Sequence, residues 1–237
     1  DTTTAEVGGR VSAKNNVLVS AKATEDFATI AAAGAAGGVG LAGGVSYVSL
    51  DNHTKALIGA GAEVVAGGNV IVSADDVTRS AVVAGAFAVG LAGGLGAGVD
   101  VITIKKEVLA TIGDGAKVSG LANGVDEFDE LTGEDAAATR KGKGVLVSAD
   151  ATQSLYNLTV AGAGAGGVAL AGAISVQVVQ TQTFATIAQN AVVNGAAGAG
   201  AAQDVAVSAR DRTGIVSKDG GFAVALGAGL CLLYTSP

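Results

Sequence analysis

Proline is missing from this chain except at its last position, and cysteine occurs once, at Cys231. Without internal proline, no residue lacks the backbone N–H that a continuous β ladder requires. A single cysteine excludes an intramolecular disulfide, so the fold must hold by packing. Methionine and tryptophan are absent, and 5 Phe and 3 Tyr supply all the aromatic surface. A globular core built on large Leu, Phe and Met side chains is therefore excluded, whereas thin layers of Val, Ile and Ala fit. The lack of Met at position 1 points to an internal piece of a longer protein, so the absence of a signal or anchoring segment within it proves nothing. Cationic charge is also scarce, 14 Lys and Arg against 21 Asp and Glu, for a net charge of −7. That balance argues against nucleic acid as a partner and for a solvated acidic exterior.

What the chain has in abundance is glycine, 38 residues, and one recurring phrase. Val17-Leu18-Val19-Ser20-Ala21 returns as Val70-Ile71-Val72-Ser73-Ala74, as Val145-Leu146-Val147-Ser148-Ala149 and as Val205-Ala206-Val207-Ser208-Ala209. Alternation places the two valines on one face, which suits a half-buried strand. A second landmark opens at Val45, Val99 and Ile174, and a third at Ala56, Ala110 and Ala185. Six residues beyond the isoleucine that ends each third landmark (Ile58, Ile112 and Ile187) come Val64, Val118 and Val193, with Val11 at the matching place before Val17. Only the interval from these valines to the next anchor varies, over 6, 6, 27 and 12 residues. Insertions confined to one corner are what a stacked repeat tolerates.

The unit is thus about 53 residues, from Val17 to Val70, with at least four short strands joined by Gly, Asn and Asp turns. Short strands at regular spacing suggest a sandwich, barrel, propeller or solenoid. A propeller lacks its aromatic signatures here, and a sandwich does not account for near-identical consecutive units. The expected fold class is all-β, a parallel β-solenoid, with about two coils per unit at roughly 20–30 residues per coil. Residues 1–230 form a single array with units anchored at Val17, Val70, Val145 and Val205 and an inserted loop at 121–144. The tail 231–237 matches no other copy and resembles translated adapter sequence, although the repeat spacing puts a strand opening near position 234.

Chemistry-bearing residues are few. Asp126, Glu127, Asp129, Glu130, Glu134 and Asp135 crowd six carboxylates into the insertion, an oxygen-rich set of the kind Ca²⁺ takes. Their spacing matches neither an EF-hand nor a calcium-binding β-roll, so the set reads as a solvated acidic loop balanced by Arg140, Lys141 and Lys143. His53, the only histidine, is expected on a turn after Leu50, with no cysteine neighbour for a metal and no triad around it. Asp100 has Ser46 and Ser175 at its equivalent positions, not the second acid that glycoside cleavage requires. No catalytic, cofactor-binding or metal-binding residue is assigned, no cofactor is expected, and the chain reads as not an enzyme.

Glycine and alanine fill the tracts between anchor and second landmark, and Gly40-Leu41-Ala42-Gly43-Gly44 recurs as Gly90-Leu91-Ala92-Gly93-Gly94. Residues 27–50 and 151–203 carry no charge, and Gly40/Gly44 and Gly90/Gly94 have Gly-x-x-x-Gly spacing, as in paired membrane helices. These tracts are nonetheless weakly hydrophobic and run straight into alternating strands, which disfavours membrane insertion.

Gly61-Ala62-Glu63-Val64-Val65-Ala66-Gly67-Gly68-Asn69-Val70-Ile71-Val72-Ser73-Ala74, the Gly/Ala tracts and Thr54-Lys55-Ala56-Leu57-Ile58 together resemble repeats of large bacterial surface proteins, the filamentous-adhesin and leukotoxin-like proteins of Gram-negative bacteria. The resemblance covers the chain to about Leu230 and implies an exported β-helical stalk, extracellular or at the cell surface, without catalytic residues. Its expected partners are flanking repeats of the same chain and surface receptors of host or neighbouring cells. The competing function is a membrane-active toxin segment that inserts its Gly/Ala tracts into a bilayer.

Overall fold

The computed structural model describes residues 1–124, 127–131, 139–198 and 203–236, with backbone alone at 129–131, 139–140 and 232–236. Every regular element among them is a strand: β1 (Thr2–Val7), β2 (Arg10–Ala13), β3 (Val17–Ile58), β4 (Glu63–Ala66), β5 (Val70–Ile112), β6 (Lys117–Gly120), β7 (Phe128–Leu131), β8 (Thr139–Gly142), β9 (Gly144–Ala165), β10 (Val168–Ile187), β11 (Val192–Val193), β12 (Asp204–Ala225) and β13 (Ala228–Ser236). Seven form one sheet, β2, β4, β6 and β11 form a second, and β7 and β8 make a hairpin. All pairings outside the hairpin are parallel.

Each parallel pair joins equivalent positions of consecutive units. Val17 pairs with Val70, Val70 with Val145, and Val145 with Val205. The second landmark stacks as Val45, Val99 and Ile174, and the last set as Val11, Val64, Val118 and Val193. Equivalent residues meet because β-branched side chains on neighbouring parallel strands pack best against their like, and a slip by one residue would turn every buried valine outward. The tail backbone joins the same ladder, with Tyr234 opposite Ile174.

Neighbouring strands are therefore one whole unit apart in sequence, and each unit contributes a single layer instead of the two coils expected from its length. The strand count differs as well. β3 is a run of 42 residues, about 140 Å if straight. Its end, Ile58, connects to Val70 beside its start through a stretch that spans at most about 43 Å. The run must double back. It does so at Gly37–Val39, where the register with β5 slips, and in later units at Leu91-Ala92 and at Gly166-Gly167, which separates β9 from β10. Each unit is thus an outgoing leg, a tip, a return leg and a short third wall.

At the base, where the third wall joins the legs, lies the principal core of Val17, Val19, Val70, Val72, Val145 and Val147 against Ile58, Ile112, Val64 and Val118. Corners between return leg and third wall use Gly61, Gly115 and Asn190 at φ of 67, 64 and 57°. Glycine and asparagine tolerate this left-handed conformation where other residues resist it. At the corner before each anchor, the Asn69 amide N–H donates to Asn16 Oδ1, and Asn69 Oδ1 accepts from the Gly144 N–H, both at 2.8 Å. Side-chain bonds between layers fix the very turn at which length varies.

Towards the tip the interior contains only alanine and glycine, with Ala161, Ala163, Ala169, Ala171 and Ala173 as its buried hydrophobic cluster. Here the legs are so close that a Cβ on Gly94 would lie 2.6 Å from the Gly164 carbonyl oxygen and 3.4 Å from that of Ala88. The Gly-x-x-x-Gly pairs thus mark close contact between strands, and among the described residues no helix is long and apolar enough to cross a membrane.

Candidate functional site

Two polar belts interrupt the apolar interior between base and tip. They arise because residues equidistant from a bend face one another across the legs. In the first belt Asp76, on the outgoing leg of β5, meets Lys106 on the return leg in an ion pair with both side chains fully buried. Thr54 Oγ1 donates to Asp76 Oδ2 at 2.9 Å, and Thr78 Oγ1 donates to Glu25 Oε2 at 2.9 Å. Burial raises the pKa of the Glu25 carboxyl.

The second belt surrounds Asp100. Ser46, Asp100 and Ser175 stack on the return legs, as the repeat alignment anticipates, and all three are buried. Asn157 and Thr159 on β9, with Ser217 and Asp219 on β12, occupy the facing wall in register. Asn157 Nδ2 donates to Ser175 Oγ, and Ser217 Oγ donates to Asp219 Oδ2 at 3.2 Å. Both Asp100 carboxylate oxygens lack a hydrogen-bond partner, as do Ser46 Oγ, Asn157 Oδ1, Thr159 Oγ1 and Asp219 Oδ1. Burial pushes the Asp100 pKa up, the neighbouring Ser46 hydroxyl and Asn157 amide bring it down, and the Asp219 charge adds to the rise. Asp219 is the acidic neighbour that reading along the ladder could not find, since it lies on the opposite wall.

His53 sits within β3, in contrast to the turn expected for it. Its Nδ1 lies 2.8 Å from Glu107 Oε2 and its Nε2 3.4 Å from Asp51 Oδ1, while Lys55 Nζ lies 2.9 Å from the same Glu107 oxygen. Hydrogen bonds from Lys55 and His53 hold Glu107 below the usual carboxylate range. This is a charge cluster on an outer face between neighbouring layers, with the histidine flanked by carboxylates.

Of the acidic insertion, Asp126, Glu134 and Asp135 lie outside the described residues, and the side chains of Asp129 and Glu130 are undescribed. The hairpin pairs Phe128 with Gly142 and Leu131 with Thr139. Phe128 is buried against Leu146 and Ala206, with Ile71 beside them, so one aromatic in the acidic run moors the insertion to the outer face of the base. A lone Phe amid carboxylates was the sequence signal for that mooring.

Two surface features remain. A groove of about 490 Å³ is lined by Gln177, Val179, Thr181, Asp211 and Thr213. The tip carries rows of outward apolar residues. Leu41, Leu95, Leu170 and Leu230 stack in one row and are 37–65% exposed. On the other leg Phe87 and Phe222 flank Gly162, their ring centroids 5.9 Å apart, in the space a Cβ there would fill. Among the described residues no group of three or more His, Cys, Asp or Glu converges to hold a metal ion. No family model, curated protein or solved structure matches the chain.

Proposed function

We propose that this chain is a segment of a parallel β-solenoid, one flattened coil per unit, serving as a structural and adhesive stalk in a large exported bacterial surface protein. The observation that supports it is the parallel register of equivalent positions through four consecutive units. Such a ladder grows by adding units and leaves an unpaired strand at each end, which flanking repeats of the same chain would cover. The similarity to filamentous-adhesin and leukotoxin-like repeats supplies the exported setting. Recognition of cell-surface receptors falls to groups outside the ladder, above all the hairpin moored by Phe128.

The test is to label intact source cells with antibodies raised against this chain. Labelling without permeabilisation is expected; labelling only after permeabilisation would overturn the exported reading. A second reading, contact with a lipid bilayer, is favoured by the uncharged tip and its apolar rows. It now involves strands, and it predicts that a fluorophore on a cysteine at Leu41 shifts to the blue with vesicles, whereas one at Ser20 does not.

A further inference from the structure

We propose that Lys106 and Asp76 condense within the folded chain to an amide, a covalent cross-link between the two legs of one layer, with Glu25 as the proton carrier. Lys106 is the one buried lysine among the described residues, and its Nζ donates to Asp76 Oδ1 with neither side chain reaching solvent. In the ladder Asp76 lies between Ala23 and Ala151, and Lys106 between Asn52 and Thr181, so no other charged residue is a register neighbour of either. Thr54 Oγ1 donates to the second carboxylate oxygen at 2.9 Å. Glu25 stands in the preceding layer, two residues along from Ala23, with its carboxyl beside that of Asp76. Burial raises the Glu25 pKa, the Thr78 hydroxyl lowers it and the Asp76 charge raises it again. An amine and a carboxyl are thus held against each other in a dry compartment, next to a third group that readily keeps a proton.

The step is a condensation without a redox change. One proton crosses the contact from the Lys106 ammonium to Asp76 Oδ1, which leaves an amine against a carboxylic acid and removes both charges from an interior that solvates neither. The amine lone pair then forms the Nζ–Cγ bond, and the negative charge that develops on Oδ2 is met by the Thr54 hydroxyl. Glu25 takes the surplus proton from nitrogen and passes it to Oδ1. The Cγ–Oδ1 bond breaks, the Oδ2 carbonyl reforms and water leaves. In solution such a condensation is held back because both groups are hydrated ions that must first meet. Here burial removes the hydration, and groups held in contact react as though at about 10⁵ M or more. The bond joins residues 30 apart and pins the legs together beyond the reach of the third wall. The inference rests on the bend within each unit and is independent of where the protein is displayed.

The experiment is mass spectrometry of the purified, folded chain, intact and as tryptic peptides, followed over days at neutral pH. A chain lighter than its sequence by one water, about 18 Da, is expected. Trypsin should yield residues 56–79 joined to residues 106–117, with the cut after Lys106 missing. Glu25→Gln, which keeps the ion pair, should slow the loss of water at least tenfold, and Lys106→Met should abolish the cross-link. A chain that keeps its full mass overturns the proposal. So does water lost elsewhere, as at Asp114-Gly115 or Asp219-Gly220, with the two peptides unlinked. If Lys106→Met does not fold, Glu25→Gln decides: loss of water at the unaltered rate in that variant counts against the assignment.

Discussion

At the base, large aliphatic side chains point inward and Leu18, Ser20 and Lys22 point outward; towards the tip the arrangement inverts. There alanine and glycine fill the interior while Leu41, Leu95 and Leu91 face solvent. The cause is the distance between the legs. The third wall holds them apart at the base, so Val and Ile are needed to fill the gap at the density of a protein interior. Beyond it nothing separates the legs, and backbone meets backbone at Gly40, Gly44, Gly94 and Gly96. The base is stabilised by burying side chains, the tip by close contact and its hydrogen-bonded ladder. That leaves about 19 Å by 30 Å of outward apolar surface on the return legs, at the upper end of what a monomer ordinarily exposes.

The sharpest break in this contrast comes at the boundary between the two regimes. In a Glu25→Gln background, which keeps the pair ionic, Lys106→Met strands the Asp76 carboxylate in the interior and should cost about 4 kcal/mol in denaturant unfolding. Adding Asp76→Leu should restore most of that loss, because an apolar pair needs no solvation. Next in size, Ile112→Ala empties a fully buried site in the base core and should cost about 3 kcal/mol. Gly94→Val, by contrast, adds volume at the tip against carbonyl oxygens that cannot swing aside, and about 2 kcal/mol is expected. Leu95→Ala one residue away should change stability by no more than about 0.5 kcal/mol, since that side chain faces outward. Were Leu95→Ala as costly as Ile112→Ala, the inversion between base and tip would be wrong.

Acidity gives a smaller, distributed effect. Burial raises the carboxyl pKa values of Asp100, Asp150, Asp211 and Glu25. A carboxyl with a higher pKa folded than unfolded holds its proton more readily in the folded state, so stability falls as pH rises through that window. Glu107 acts oppositely: its pKa is lowered on folding, and its contribution is lost as pH falls through the lowered value. Four raised groups against one lowered predict that Tm rises as pH falls through the raised carboxyl values towards the ordinary carboxylate range. Asp100→Asn should flatten that rise.

Much of the ladder was legible in the sequence because register depends on local pattern. The Val-x-Val anchors, the corner that absorbs insertions and the position near 234 all follow from counting, and Tyr234 does stand opposite Ile174. The number of layers per unit was not legible. The bend lies within the Gly/Ala tracts, where glycine marks close approach and turn alike, so a strand that doubles back resembles two short ones. The polar belts stayed hidden for the same reason. Asp76 and Lys106 are 30 residues apart and meet only once the bend is placed between them. His53 was misplaced on a turn because Asp51-Asn52-His53 has turn composition, yet the layer beside it continues through Lys105, Lys106 and Glu107 and carries it into the ladder.

Dipolar coupling between spin labels tests the stacking of whole units most directly. With Cys231 replaced by serine, one pair of labels goes at Ser20 and Ser73, which are register partners, and a second at Ser20 and Ser49, which would be neighbours if each unit held two coils. Strong broadening for the first pair and none for the second is expected. Broadening for Ser20 and Ser49 with none for Ser20 and Ser73 would contradict a single layer per unit, and with it the bend and the polar belts.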